Sequence, residues 1–378
     1  MLSCLPPAMV TCPPSFYARS VSRGIQSDGG GGSLDRSRMI LVRHALNQVS
    51  LQDLTRSAVQ GMLKAAHDPY GRYLSPRAYD RLLAETEGIF VGIGVEIRAQ
   101  DGRIVLDLVP GGPAAQAGLE AGSVLVAVDG HPIKANTPEA AQDALEGPAG
   151  AVVRVSVLER GRPRVYALRR REVLIHAVEA HVLSGRLGYL CIREFSRGSG
   201  EEAAHAAQRL VREGIQGWVL DLRSNPGGFL NEALAFLNGV ARPGASARID
   251  YRDRTDQVAH APGPGLRVPM VVLVNAKTAS AAELVAVALR DLSGATLIGQ
   301  RTYGKAYLQE VVPLDGEGGM LFTVARVSDG RGWTWQGRGV TPDVGIYDRR
   351  DVLVWAVERL RRMHRRPNQG RGFLIPGL

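Results

Sequence analysis

The chain has 378 residues, 45% hydrophobic and 22% charged, the profile of a soluble globular protein of two or three domains at about 100–200 residues each. Forty-five Gly and 21 Pro argue against a helical bundle; three Cys (Cys4, Cys12, Cys191) and no CxxC or Cys/His cluster exclude a disulfide scaffold and any expectation of a metal. The net charge is +9, and only four of the 46 basic residues are Lys, but the Arg are scattered except for RRMHRR at 361–366, and no nucleic-acid-reading module accompanies them, so no nucleic-acid partner is expected.

Residues 1–38 are expected to lack structure. Prolines break MLSCLPPAMVTCPPSF, and DGGGGS (Asp28–Ser33) reads as a flexible linker. Neither a basic start nor an uninterrupted apolar run makes this a clear signal peptide. Residues 39–87 form a helical segment, with Leu51, Leu54, Ala58, Met62 and Leu63 on one face and Asp68-Pro69 as its stop. ILVRHA (Ile40–Ala45) has the look of a histidine-phosphatase signature, but no glycine follows His44 and no second catalytic His stands out.

Residues 88–175 read as a compact β-rich domain. GIGVEI, RIVLDL, SVLVAV and VVRVSVLE are strand-like and separated by DG and GG turns, with short helices at Pro113–Gly118 and Pro138–Leu145. From 176 to 348 strands alternate with helices: LGYLCI, helix Gly200–Glu213, GWVLDL, helix Phe229–Val240, VPMVVLVN, helix Ala281–Leu292 and ATLIG. That order predicts an α/β layered core with buried parallel strands. Residues 349–378 hold a basic amphipathic helix (Val352–Met363) and a polar tail.

Three loops could carry chemistry. DLRSNPGG (Asp221–Gly228) ends an apolar strand, and its glycines allow close backbone approach to a ligand, or simply a tight turn. In NAKTASAAE (Asn275–Glu283), Ser280 and Glu283 have the spacing of a capping box. Ser280 is equally placed to act as a nucleophile beside the N–H groups of a helix start. GQRTYGKA (Gly299–Ala306) approaches a phosphate-binding loop, but Ala306 lacks the metal-binding hydroxyl and a strand follows where a helix is needed. Lys305 reads better as a base, since a serine hydroxyl needs a proton acceptor and burial can neutralise a lysine. Arg could not replace it. Gln309, four positions on, would face the same side of a strand and orient the amine.

Together these residues resemble the C-terminal processing (tail-specific) peptidase family, across roughly residues 40–348. PGGPAAQAGLEAGSVLVAVDGHPI (Pro110–Ile133) resembles its PDZ part. DLRSNPGG, TASAAELVAVALRD, TLIGQRTYGKAYLQ and QGRGVTPDV follow the order of its protease part. In the family a lysine follows the serine by 25 residues and a glutamine follows the lysine by four; Ser280, Lys305 and Gln309 keep those separations.

The resemblance implies a crotonase-like layered α/β protease core (176–348) with an inserted PDZ-like domain (88–175) and a helical N-terminal segment. It implies a serine endopeptidase, without cofactor or metal, in which Ser280 is the nucleophile, Lys305 the general base and Gln309 its orienter. The N–H groups of Gly228 and Ala281 would form the oxyanion hole. Gly92, Ile93, Gly94 and Val95 would bind a polypeptide's C-terminal carboxylate by strand addition, and Arg171 would couple that domain to the active site. Polypeptides are the implied partners, with room for an activating or adaptor protein and for peripheral membrane contact, in a periplasmic or extracytoplasmic setting. Thr278 and Ala282 stand where the family has non-nucleophilic serines, Ala306 where it has glycine, and Ser123 where a PDZ turn has Asp. The Ala306 departure leaves a second reading, a catalytically silent PDZ-type peptide-binding protein. An acyl-CoA-transforming crotonase relative would have no use for a PDZ module.

Overall fold

Apolar, β-branched runs form strands that are buried along their whole length. GWVLD and MVVLV are each buried at every position, the pattern of strands covered on both faces. The computed structural model describes residues 9–10, 31–86, 89–100, 102–133, 138–174, 177–252, 256–314, 316, 318–346 and 352–365. The chain divides into two units, one of residues 1–80 with 177–378, the other of residues 81–176.

The larger unit opens with helices α1 (Gly31–His44) and α2 (Leu51–Ala65). Helix α1 begins inside the segment expected to lack structure, and Met9–Val10 within it forms a short strand. Ser50 caps α2 by accepting the Asp53 N–H. Its buried face is Thr55, Val59 and Leu63, while Leu51 and Met62 are exposed. The expected stripe shared only Leu63 with it, because hydrophobicity does not say which side meets the core.

Strand β1 (Arg72–Leu74) leads, beyond the smaller unit, to β2 (Val178–Leu183), β3 (Leu187–Ile192), α3 (Ser199–Arg212), β4 (Gly217–Asp221), α4 (Leu230–Val240), β5 (Gly244–Tyr251), β6 (Gln257–Ala261), β7 (Met270–Val274), α5 (Ala281–Ser293), β8 (Thr296–Gly299), β9 (Tyr307–Pro313), β10 (Gly319–Ser328), β11 (Val344–Gly345) and α6 (Val352–Arg365). One sheet runs β2-β3-β4-β7-β8-β11, parallel throughout except for β2. A second sheet orders Met9–Val10, β9, β10, β5 and β6, with β1 also on β10.

The first sheet is covered on both faces. Leu190, Leu220, Val272 and Leu297 share a core with α3, α4, α5 and inward residues of the second sheet such as Ala325 and Val327. Val219, Val271, Leu273 and Ile298 meet Val352, Ala356 and Leu360 of α6. The alternation along each strand assigns successive residues to opposite layers. Leu220 is fully buried, so Leu220→Ala is expected to lower the unfolding free energy by ~2–5 kcal/mol, read as an earlier urea midpoint.

The smaller unit is a β-rich domain with its own core, which includes Ile93, Leu106, Leu125, Val155 and Leu168. Its main sheet orders the strands Val95–Gln100, Arg103–Leu108, Ser123–Val128, Val152–Glu159 and Arg162–Arg169. A separate pair joins Ile89–Gly92 to Arg171–Leu174.

Candidate active site

Strand β7 ends at Val274 and the chain turns through 275–280 into α5. Asn275 and Thr278 build that turn. Thr278 Oγ1 accepts from the Asn275 N–H (2.9 Å) and donates to Leu222 O (2.7 Å). The substitution at Thr278 therefore keeps a hydroxyl that ties this turn to the end of β4.

Ser280 follows, fully buried, with φ 58° and ψ −121°. A non-glycine residue held at positive φ is strained, and such strain clusters at functional sites. Only half of the expected capping box forms. Glu283 Oε2 accepts the Ser280 N–H at 2.9 Å, but Ser280 Oγ has no hydrogen-bond partner. The hydroxyl is thus not spent on capping the helix. Among the described residues the N–H of Ala281, the first of the helix, has no acceptor either.

The Asp221–Gly228 loop lies against this serine. A side chain at Gly227 (φ +107°) would put its Cβ 2.7 Å from Ser280 Cβ. Buried Asn225 shapes the loop. Its Oδ1 accepts the Gly227 N–H (2.8 Å), its Nδ2 donates to Ile192 O (2.9 Å), and its carbonyl accepts the Ala279 N–H (3.0 Å). The Gly227 N–H is therefore taken, whereas that of Gly228 has no acceptor among the described residues. Arg223 and Tyr189 both donate to Asp221, and the guanidinium fixes the start of the loop.

Lys305 arrives from the 300–306 loop between β8 and β9. It is 1% exposed, and its amine donates to Gln309 Oε1 at 2.7 Å. Strand β9 begins at Tyr307, so the expected strand alternation does not align the pair; Lys305 lies ahead of the strand. A register shift between Leu308 and Gln309 accompanies the inward turn of the glutamine. Burial is the largest influence on the amine, with a smaller repulsion from Arg72 and an opposing attraction from Asp68; together they bring its pKa down to about 7. Ala306 is fully buried, its φ is not in the positive region, and its N–H donates to Gln336 Oε1 (2.7 Å). A methyl group therefore fits this position without strain.

Sequence reasoning treated Glu283 only as a cap. In the fold its carboxylate gathers the site. Oε2 accepts both the Ser280 and the Lys305 N–H, each at 2.9 Å, while Oε1 accepts the Gly304 N–H at 2.8 Å and the Thr302 hydroxyl. Burial pushes this carboxyl up to about 7 against those four hydrogen bonds. One oxygen thus fixes the backbones of both Ser280 and Lys305, although their side chains are not hydrogen-bonded to each other. Trp335 Nε1 donates to Lys305 O (3.1 Å) and completes the clamp. The S-x-x-E spacing and its place in TASAAELVAVALRD were the sequence signals for Glu283, and Gln336 opens QGRGVTPDV; neither told what the side chain would hold, and Trp335 had no signal.

In the smaller unit, Gly92–Val95 crosses from the strand Ile89–Gly92 to the strand Val95–Gln100 by a bend at Ile93–Gly94. Ile93 O accepts from Ala114 N and Gly94 O from Val109 N. Gly94 has φ +71°, and a Cβ there would lie 2.8 Å from Gly112 Cα. The N–H groups of Ile93 and Gly94 have no acceptor among the described residues, an arrangement suited to a carboxylate. Arg171 pairs with Gly92 in the ladder and donates to Gln116 Oε1 (2.6 Å). Ser123 is buried, and nearby Glu159 takes the Glu120 N–H and the Tyr166 hydroxyl. Glu159 thereby brings to the turn a carboxylate that Ser123 lacks.

The model of peptidase family S41 matches residues 186–346, which contain Ser280, Lys305, Gln309, Gly228 and Ala281. A PDZ-domain model matches residues 104–159, which do not reach Gly92–Val95. The chain is 31% identical over 305 residues to a carboxy-terminal-processing protease of Bartonella bacilliformis, covering 78% of this chain and 70% of that one. It is 34% identical over 314 residues to the chloroplastic C-terminal processing peptidase of Tetradesmus obliquus, covering 77% and 68%. Among solved structures, a photosystem II D1 C-terminal processing protease superposes with a TM-score of 0.54 at 29% identity, covering 87% of this chain and 91% of that one.

Proposed function

Because the chain belongs to the carboxy-terminal-processing protease family, serine-type peptidases with a PDZ domain, we propose that it captures polypeptides by their C-termini and cleaves them through a Ser280–Lys305 dyad. The observation that carries this reading is the buried, water-shielded Lys305 amine, held by Gln309 and fastened through its backbone to the same carboxylate oxygen as Ser280. The covered parallel sheet supports assigning the core to the crotonase-like class.

Neutral Lys305 uses an N–H to bind Gln309 and keeps its lone pair for the Ser280 proton. The alkoxide attacks the scissile carbonyl, and the N–H groups of Gly228 and Ala281 receive the oxyanion. Protonated Lys305 then gives its proton to the leaving amine. It next takes a proton from water as that water attacks the acyl-enzyme carbonyl, and returns it to Ser280 Oγ as the ester bond breaks, which restores the neutral amine and the hydroxyl. General-base catalysis supplies ~10²–10⁴-fold, and each oxyanion donor ~10²–10³-fold. The PDZ-like domain, residues 88–175, acts as receptor, its Ile93 and Gly94 N–H groups meeting the substrate carboxylate. The silent-binding alternative rested on Ala306; what speaks against it is that the φ of Ala306 is not positive and its N–H donates to Gln336 Oε1.

The test pairs two measurements. An unfolded polypeptide with a free C-terminus should be cleaved ~10-fold or more faster than its C-terminally amidated twin, equivalent to ~1.4 kcal/mol of carboxylate recognition. Equal rates would remove tail capture. A fluorophosphonate should label Ser280, and a label elsewhere or none would remove the nucleophile assignment.

A further inference from the structure

The lysine amine is enclosed by contacts that join the protease motifs to a segment outside them, Asp68 and Tyr70. Gln309 Oε1 accepts from Lys305 Nζ, and its Nε2–H donates to Tyr70 O at 3.1 Å. The Tyr70 hydroxyl accepts from Gln336 Nε2 at 2.8 Å, and Gln336 Oε1 holds the N–H of Ala306, the residue after Lys305. The Tyr70 ring lies 5.1 Å from Nζ at its centroid and meets Tyr307 edge-on at 5.6 Å. Asp68 anchors the turn. It accepts from the Tyr70 N–H (3.0 Å) and from both the N–H (2.7 Å) and the hydroxyl (2.9 Å) of Thr323 on β10.

We propose that Tyr70, delivered by the N-terminal helical segment, is a positioning residue for the base: its carbonyl sets the orientation of Gln309, and its ring keeps water from the Lys305 amine. The proposal rests on the reading of Lys305 as the general base.

The two ends of a primary amide are nearly equal in shape, so their partners decide its orientation. A backbone carbonyl only accepts. Tyr70 O therefore fixes the NH₂ end of Gln309 and turns its oxygen toward Lys305, where it accepts from the neutral and the charged amine alike. The ring acts in two opposed ways. Its face attracts an ammonium, while its bulk excludes the water that would solvate one. Burial is the largest influence on this amine and the ring sits 5.1 Å from it; in the proposal the ring's share of that burial exceeds its attraction. The other charged and titratable groups here are Arg72 on β1, which disfavours the ammonium, Asp68, which favours it, Glu283 of α5, and the phenols of Tyr303 and Tyr307 beside Tyr70.

The titration of Lys305 can be followed without turnover. In a Ser280→Ala background, competitive acetylation with acetic anhydride across pH, read by peptide mass spectrometry, reports the free amine. The parent midpoint should fall at about 7. Tyr70→Ala should raise it by ~1 unit or more toward the ordinary lysine value of ~10.4. With Ser280 restored, the same change should lower kcat ~10-fold or more and leave KM little altered. Tyr70→Phe keeps ring and carbonyl, so its midpoint should stay within ~0.3 unit of the parent, well below the shift expected from exposure. Tyr70→Leu replaces the alanine variant if that one does not fold. An unchanged midpoint in the ring-less variant, or the full shift in Tyr70→Phe, overturns the proposal. Failure of the dyad reading itself would appear separately, as turnover retained by Lys305→Ala.

Discussion

Ser280→Ala and Lys305→Arg are each expected to lower kcat by ~10⁴-fold or more, and the double variant is expected to be scarcely worse than either. In the proposed dyad the two groups act as one unit, so removing the second after the first takes little further away. Arginine fails for a definite reason: it stays protonated and cannot accept the serine proton. In the wild type, activity should rise with pH through about 7, as the Lys305 amine loses its charge. The same amine also makes a stability prediction. Its folded pKa lies below the ordinary value of 10.5, so between about 7 and 10.5 the unfolded chain binds more protons than the folded one. Stability therefore rises with pH across that window, and the burden is full below it. Lys305→Met should consequently raise the unfolding free energy near pH 7, by on the order of 4 kcal/mol at ~1.36 per pKa unit, and the gain should shrink toward pH 10. Urea titrations at several pH values measure this; a methionine variant less stable than wild type at pH 7 would count against a buried, destabilised base.

Glu283→Gln is expected to lower kcat by ~10²–10³-fold while the protein stays folded, a loss comparable with removal of an oxyanion donor. The carboxylate accepts four hydrogen bonds and donates none. A glutamine offers one accepting oxygen and turns an NH₂ group toward donors, leaving buried N–H groups of Ser280, Gly304 or Lys305 without partners. Both Ser280 and Lys305 would then lose the atom that fixes their backbones. The pH profile separates this role from general damage. Burial brings both Glu283 and Lys305 to about 7, and in the proposed mechanism the active form has both deprotonated. The acid limb of kcat/KM should therefore be steeper than one proton in the wild type and fall to a single-proton slope in Glu283→Gln. An unchanged slope would show that the carboxylate does not titrate with the base.

What the chain order alone decided was the set of local elements and the spacing of the candidate site residues. Short, β-branched apolar runs such as GWVLD and MVVLV read as strands covered on both faces and are so, and the strand–helix alternation points to parallel crossovers. Helices at Ser199–Arg212, Leu230–Val240 and Ala281–Ser293 fall within a residue or so of expectation, because their apolar faces are regular. The candidate trio Ser280, Lys305 and Gln309 was legible through the motif order and separations it shares with the family it resembles. Tertiary structure decided the rest. Nothing local says that Glu283 turns back to hold two loops, that Asn225 consumes the Gly227 N–H and leaves Gly228 open, or that Tyr70 lies against a lysine far along the chain. Nor does a hydrophobic stripe reveal that α2 buries Thr55 and Val59 rather than Leu51 and Met62. Periodicity and turn chemistry act over a few residues, whereas a buried polar group takes its partner from whichever segment packing brings within hydrogen-bond reach.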